Sequence, residues 1–178
     1  MNQHVVLTAV GADRPGLVEE VSEFVLARGG SIEDSRMANL QGQFAIMVLI
    51  GAQQEAIDRL RADLDALTAQ TRTHAQLTVA VSAAVGAAPR LPFRLTGRAL
   101  DQPGLVHVVA NLLRSLNVNI ESMETTLEAA PITAAPVFAM DLIVAVPTDT
   151  PVPKLRDELA RVCDPLNIDW HLAAMSSR

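Results

Sequence analysis

The chain has 178 residues, of which 49% are hydrophobic and 19% are charged, a composition typical of a folded globular protein. Its net charge is −6, and thirteen of its fourteen cationic residues are arginines dispersed along the sequence, which argues against direct binding to nucleic acid. The first residues lack the blocks of a signal peptide, and the longest apolar run, Phe44 to Ile50, is too short to cross a membrane. We therefore expect a cytoplasmic protein that contacts no membrane.

One sequence motif, Asp-x-Pro-Gly-Leu-Val, occurs twice, at 13–18 and at 101–106. The offset is 88 residues, and eight of the 21 positions in the windows 13–33 and 101–121 are identical. The chain is therefore a tandem duplication, for which we predict one domain at 1–82, a linker at 83–92 and a second domain at 93–178. Units of this size bury only about 60–65% of their unfolded surface, so each is expected to pack against another unit or another chain.

The first strand of each unit is predicted at 4–10 and at 94–100, and each ends in the Asp-x-Pro-Gly turn. Apolar side chains then recur at helical spacing, which predicts an amphipathic helix of about three turns: Leu17, Val18, Val21, Phe24 and Val25, repeated by Leu105, Val106, Val109, Leu112 and Leu113. Asp13 and Asp101 are expected to cap these helices, with the prolines in the first turn. Gly29-Gly30 and Asn117 are expected to end them.

The rest of each unit follows the same order. Second strands are predicted at 32–39 and 119–127, and third strands at 44–50 and 137–146 are apolar enough to be central. Second helices follow at 55–69 and 152–163, and closing strands at 76–82 and 168–174. The order βαββαβ predicts an α+β protein of two ferredoxin-like domains, each an antiparallel sheet with its helices on one face. The second copy has six extra residues within 129–136.

The Asp-x-Pro-Gly turn has a possible role in binding. It precedes a helix N-terminus whose first N–H groups lack partners, and Gly16 or Gly104 lets a ligand approach the backbone. A carboxylate suits such a position. An amino acid also needs an acceptor for its ammonium group, and the candidates are Asp13, Asp101, Asn39, Asn119 and Glu121. The residues by themselves favour the simpler explanation, in which the aspartate only caps, the glycine only turns and nothing binds.

No group of residues predicts catalysis. The four histidines are far apart in the sequence and lack the spacing of metal ligands, and no phosphate-binding loop is present. Cys163 falls within an apolar helical stripe, where a buried thiol is expected. We therefore expect no enzymatic activity, no catalytic residue, no metal and no cofactor.

The duplicated βαββαβ unit with its Asp-Arg-Pro-Gly-Leu-Val and Asp-Gln-Pro-Gly-Leu-Val turns resembles the ACT domain, a regulatory module that binds amino acids. The tandem arrangement is similar to the glycine cleavage system transcriptional repressor family. In the second copy, Ala130-Pro131 and Ala135-Pro136 resemble that family's proline-containing insertion before the third strand.

The resemblance implies a regulator that senses a small amino acid, with glycine as the first candidate. It also implies that the regulator acts on a partner regulatory protein, which in that family is a DNA-binding activator. It places ligands between the turn of one unit and the second strand of its neighbour. The implied ligand-binding residues are Asp13, Gly16, Leu17, Asn39, Asp101, Gly104, Leu105, Asn119 and Glu121. We also expect a homo-oligomer. A structural interaction module without a ligand, and a regulatory subunit of a biosynthetic enzyme, remain alternatives.

Overall fold

The computed structural model of the chain describes residues 3–80, 88–129 and 135–175, and it divides into two units, Met1–Val85 and Gly86–Arg178. The elements of the first unit are β1 (Gln3–Ala12), α1 (Leu17–Ala27), β2 (Ser31–Leu40), β3 (Gln43–Ala52), α2 (Gln54–Ala62), α3 (Leu64–Thr71) and β4 (Thr73–Val79). Those of the second unit are β5 (Arg90–Leu100), α4 (Leu105–Ser115), β6 (Asn119–Ala129), β7 (Pro136–Pro147), α5 (Val152–Cys163), a 3-10 helix (Asp164–Leu166) and β8 (Asp169–Ala174).

Each unit contains one four-stranded sheet, with strand order β2-β3-β1-β4 in the first and β6-β7-β5-β8 in the second. All neighbouring strands are antiparallel. The predicted ferredoxin-like fold is confirmed, and the apolar third strands β3 and β7 are central as expected.

The two cores lie between each sheet and its helices. In β1 the buried side chains alternate (Val5, Leu7 and Ala9), as a strand covered on one face requires. The predicted helical stripes supply the opposing layer, and four side chains of each first helix are buried. The edge strand β2 is exposed along its whole length. No helix in the described parts of the chain is long and apolar enough to cross a membrane.

The predicted helix caps are wrong. The first helices begin at Leu17 and Leu105, and Gly16 and Gly104 occupy the N-cap positions without any side-chain hydrogen bond. The aspartates lie three residues before the caps. The main-chain N–H of Asp13 instead donates to the carbonyl of Gly42 at 2.8 Å, so this residue ties the end of β1 to the β2–β3 hairpin. The predicted helix ends are confirmed, since Gly29 and Asn117 both have positive φ.

Three other boundaries differ from prediction. The helix predicted at 55–69 is two helices separated at Asp63. Aspartate is unfavourable inside a helix, and the Asp63 carboxylate here pairs with Arg28 Nε at 2.9 Å. Strand β4 begins at Thr73 rather than residue 76. Strand β5 begins at Arg90, inside the predicted linker. Residues 81–87 and the added segment at 130–134 lie outside the described residues, so the linker itself stays a prediction.

Candidate functional site: the strand-to-helix turns

The two Asp-x-Pro-Gly turns have nearly the same backbone conformation. Gly16 has φ 95° and ψ −13°, and Gly104 has φ 96° and ψ −1°. This left-handed region strains any residue with a side chain, which explains the glycine in both copies. The carbonyl of each glycine accepts the first helical hydrogen bond, from Glu20 N–H in one copy and Val108 N–H in the other. The N–H groups before that bond have no intrahelical acceptor and face outward from the turn.

The second turn is open. A Cβ built on Gly104 meets no heavy atom of the described residues within 4 Å. The main-chain N–H of Asp101 donates to the carbonyl of Pro136 at 3.0 Å, and its carboxylate accepts no hydrogen bond within the described residues. Gln102 points away toward the 3-10 helix, where its Nε2 donates to Leu166 O at 3.2 Å. A free carboxylate, a bare glycine and a helix N-terminus therefore lie within five consecutive residues.

The first turn is closed by an ion pair that the second turn lacks. Arg14 donates from both terminal nitrogens to the Glu20 carboxylate, at 2.6 and 2.7 Å. This pairing holds the pKa of Glu20 below its usual value. The glutamate Oε1 lies 3.6 Å from where a Cβ of Gly16 would be, so a carboxylate of the protein itself covers this turn. At an offset of 88 residues the second copy has Gln102 and Val108, which cannot form this pair.

Of the predicted acceptors, the structure brings Asp13 and Asn39 together. Asn39 Nδ2 donates to the Asp13 carboxylate, and Asn39 Oδ1 accepts the Gly42 N–H at 3.2 Å. The residue at the corresponding place in the second unit is Leu127. The aspartate of the first turn is thus already engaged, whereas Asp101 is not.

Leu17 and Leu105 can offer a ligand only their main-chain groups. Their side chains are buried in the two cores, so a ligand at either turn could reach just the main-chain N–H groups of these residues. This burial fixes the first turn of each helix against its sheet. The helix N-terminus is therefore held in place before any ligand arrives.

Asn119 and Glu121 lie at the opposite end of the second sheet from the turn of the same unit. Asn119 pairs with Ala145, which pairs with Pro92 on β5, eight residues before the strand ends at Leu100. At about 3.4 Å per residue the separation is about 27 Å. Within one unit these residues and Asp101 cannot touch the same small ligand.

Asn119 instead lines a cleft of about 480 Å³ together with Arg90 and Arg114. These two arginines and the Arg14–Glu20 pair were not predicted as functional. A signal for the pair was present, because the residue between the aspartate and the proline of the motif differs between the copies. Nothing in the spacing of Arg90 and Arg114 indicated that they meet.

Comparison with known proteins agrees with this architecture. Residues 3–78 match the family model of the ACT domain. The glycine cleavage system transcriptional repressor of Escherichia coli is 26% identical over 174 residues, which span 93% of this chain and 87% of that protein. A protein of the same name from Shigella flexneri matches equally well.

Two solved structures share the fold over almost the whole chain. An unknown protein from Galdieria sulphuraria superposes with a TM-score of 0.81 at 25% identity, covering 99% of this chain and all of the other. A protein provisionally identified as a glycine cleavage system transcriptional repressor superposes with a TM-score of 0.74 at 23% identity, covering 99% of both chains. The first unit of the chain therefore matches the ACT-domain model, and the chain as a whole is similar to the glycine cleavage system transcriptional repressor.

Proposed function

We propose that the chain is a non-enzymatic regulatory protein that binds a small amino acid at an Asp-x-Pro-Gly turn and acts on a partner protein. The observation that carries the proposal is the second turn, where no side chain of the described residues competes for the Asp101 carboxylate, Gly104 or the N-terminus of α4. The relatives named above support a regulatory role, and their name makes glycine the first ligand to test.

The chemistry of the second turn suits a zwitterion. The outward N–H groups at the start of α4 can receive the ligand carboxylate, which the positive end of the helix also favours. The Asp101 carboxylate can receive the ammonium group. The Asp101 turn alone surrounds only one side of such a ligand, so we assign the remaining contacts to the second strand of a unit in another copy of the chain.

The partner protein is proposed to be a transcriptional regulator. The chain itself is acidic, with a net charge of −6, which disfavours direct contact with nucleic acid. Its regulatory effect would therefore pass through protein contacts whose strength the amino acid changes. A coupling of about 1–3 kcal/mol between the two binding events is sufficient for regulation.

Isothermal titration calorimetry with glycine and then the other amino acids tests the proposal. The variant Asp101→Asn removes the charge that would pair with the ammonium group, and we expect it to weaken binding about tenfold or more. Asp149→Asn is the matched control, because Asp149 is exposed and follows the end of β7 that pairs with Arg90, at the far end of the sheet from the turn. Equal affinity in both variants would place the ligand elsewhere.

A structural interaction module without a ligand is the second candidate. Large apolar side chains are exposed on the edge strands of both sheets, including Met37 and Leu40 on β2 and Leu127 on β6. An unpaired edge of this kind can add strands from another chain. Dimers that form in sedimentation experiments without any amino acid, together with flat titrations, would favour this function over the first.

A further inference from the structure

We propose that the second unit carries an oxyanion-binding cleft formed by Arg90, Arg114, Asn117 and Asn119, which takes a carboxylate or a phosphate group. The cleft has a volume of about 480 Å³, and none of its lining residues is acidic. This concentration of positive charge occurs in a chain of net charge −6. The cleft lies at the end of the sheet opposite the second turn, so it goes beyond the proposed function and needs neither turn.

Arg90 is held in position by main-chain groups rather than by a carboxylate. Its Nη1 donates to the carbonyls of Asn117 at 2.6 Å and Ala145 at 3.2 Å. Because both acceptors are neutral, the guanidinium charge is not cancelled. Its Nε has no acceptor within the described residues. A side chain fixed in this way loses little conformational entropy when an anion binds.

Arg114 has most of its hydrogen-bonding capacity available. Its Nη2 donates to Asn111 Oδ1 at 3.3 Å, and within the described parts of the chain no carboxylate oxygen lies within 4.0 Å of it. A guanidinium presents a planar fork of donors that matches a carboxylate or a phosphate with two hydrogen bonds. Two such groups on one cleft, with the amides of Asn117 and Asn119 beside them, suit an oxyanion.

The cleft lies at the C-terminal end of α4, a position whose exposed carbonyls would normally repel an anion. Here two of those carbonyls, those of Leu113 and Arg114, accept hydrogen bonds from the residues that follow the helix. Asn117 N–H donates to Arg114 O at 3.0 Å and Val118 N–H donates to Leu113 O at 2.9 Å, with Asn117 in the left-handed conformation that closes such helix ends. Arg90 covers the carbonyl of Asn117 itself.

The first unit offers a natural comparison. At the offset of 88 residues, Leu26 stands at the position of Arg114, and Ser31 stands at that of Asn119. Arg114→Leu therefore gives the second unit the residue that the first unit has at this position. The position is exposed on a helix, where leucine is well tolerated.

A nuclear magnetic resonance titration of the full chain tests the proposal, with sodium phosphate and sodium acetate as probes and sodium chloride at matched ionic strength as the reference. We expect saturable shifts of the Val118, Asn119 and Ile120 amides with at least one oxyanion and none with chloride. Saturation by phosphate alone assigns a phosphate ligand, and saturation by acetate assigns a carboxylate.

Two variants complete the test. Arg114→Leu is expected to weaken oxyanion binding about tenfold or more. Arg61→Leu, at an exposed arginine of α2 in the first unit, is expected to leave it unchanged. Shifts that rise linearly with every salt, or equal affinity in Arg114→Leu and the unmodified chain, would overturn the proposal. Neither result would bear on amino-acid binding at the turns, because the turns contribute no residue to this cleft.

Discussion

Replacing Gly104 by alanine should destabilise the second unit through backbone strain alone. A residue with a Cβ in the left-handed region costs about 1–2 kcal/mol. Among the residues that the structure describes, none adds a steric cost, because a Cβ at this position meets no atom of them within 4 Å. The same substitution places a methyl group on the surface that the proposed ligand would approach.

Gly42 supplies the matched control. It also has positive φ, at 79°, and a Cβ built on it likewise has no neighbour within 4 Å, but it lies in the β2–β3 hairpin of the first unit. Both variants are therefore expected to lose about 1–2 kcal/mol of unfolding free energy. With a urea dependence of about 2 kcal/mol per molar, each midpoint should fall by about 0.5–1 M.

Urea denaturation followed by circular dichroism measures this change, and calorimetry on the same samples measures ligand binding. The expected result is equal loss of stability in the two variants, with ligand binding lost only in Gly104→Ala. A Gly104→Ala protein as stable as the unmodified chain would refute the reasoning, because the glycine would then not be required by the backbone conformation.

Three further outcomes are expected. Leu155→Ala removes a fully buried side chain from the second core and should cost about 2–5 kcal/mol, whereas Leu26→Ala on the exposed face of α1 should change stability by no more than about 0.5 kcal/mol. Burial raises the pKa of Cys163 to about 11, so at pH 8 this thiol should react with Ellman's reagent only after the protein unfolds in urea. Glu20→Gln breaks the pair with Arg14 and should give a second amino-acid binding event in calorimetry. Lowering the pH should have the same effect on the unmodified chain. The ion pair is present above the lowered pKa of Glu20 and is lost as the pH falls through that pKa.

The Glu20 experiment has its own control. Glu19→Gln removes an equal charge from the neighbouring exposed position, where no side-chain contact is lost. A second binding event in both variants, or in neither, would show that the carboxylate of Glu20 does not control access to the first turn.

The architecture was predictable because its signals are repeated and periodic. The duplicated motif set the number of units, and the alternation of Val5, Leu7 and Ala9 with outward residues indicated a strand covered on one face. The helical stripes after each turn indicated where the covering layer lies.

The errors share a physical cause, which is polar residues whose hydrogen-bond partners leave no hydrophobic pattern in the sequence. Thr71 and Thr73 are buried because their hydroxyls bond to each other at 2.8 Å and Thr71 Oγ1 donates to Leu67 O, so β4 begins earlier than its apolar residues suggest. Asp13 was taken for a helix cap, yet its main-chain N–H bonds to a hairpin 29 residues further along the chain.

The sequence predicted the motif of the candidate site, but it did not predict that the two turns differ. Both turns have the same glycine conformation, as the repeated sequence requires. Whether a turn is open or closed depends on one ion pair between Arg14 and Glu20, which are six residues apart and become neighbours only when Pro15 and Gly16 form the turn before the helix. The meeting of Arg90 and Arg114 depends on the sheet register and had no local signal.

The most direct test of amino-acid binding at the turns is a thermal-shift screen of the chain against the twenty amino acids, repeated with Gly104→Ala and Gly42→Ala. A ligand present at a hundred times its dissociation constant stabilises the folded state by about 2.7 kcal/mol. We predict that at least one small amino acid raises the melting temperature of the unmodified chain and of Gly42→Ala but not that of Gly104→Ala. A flat panel on a folded chain, or an equal rise in all three proteins, would contradict the account.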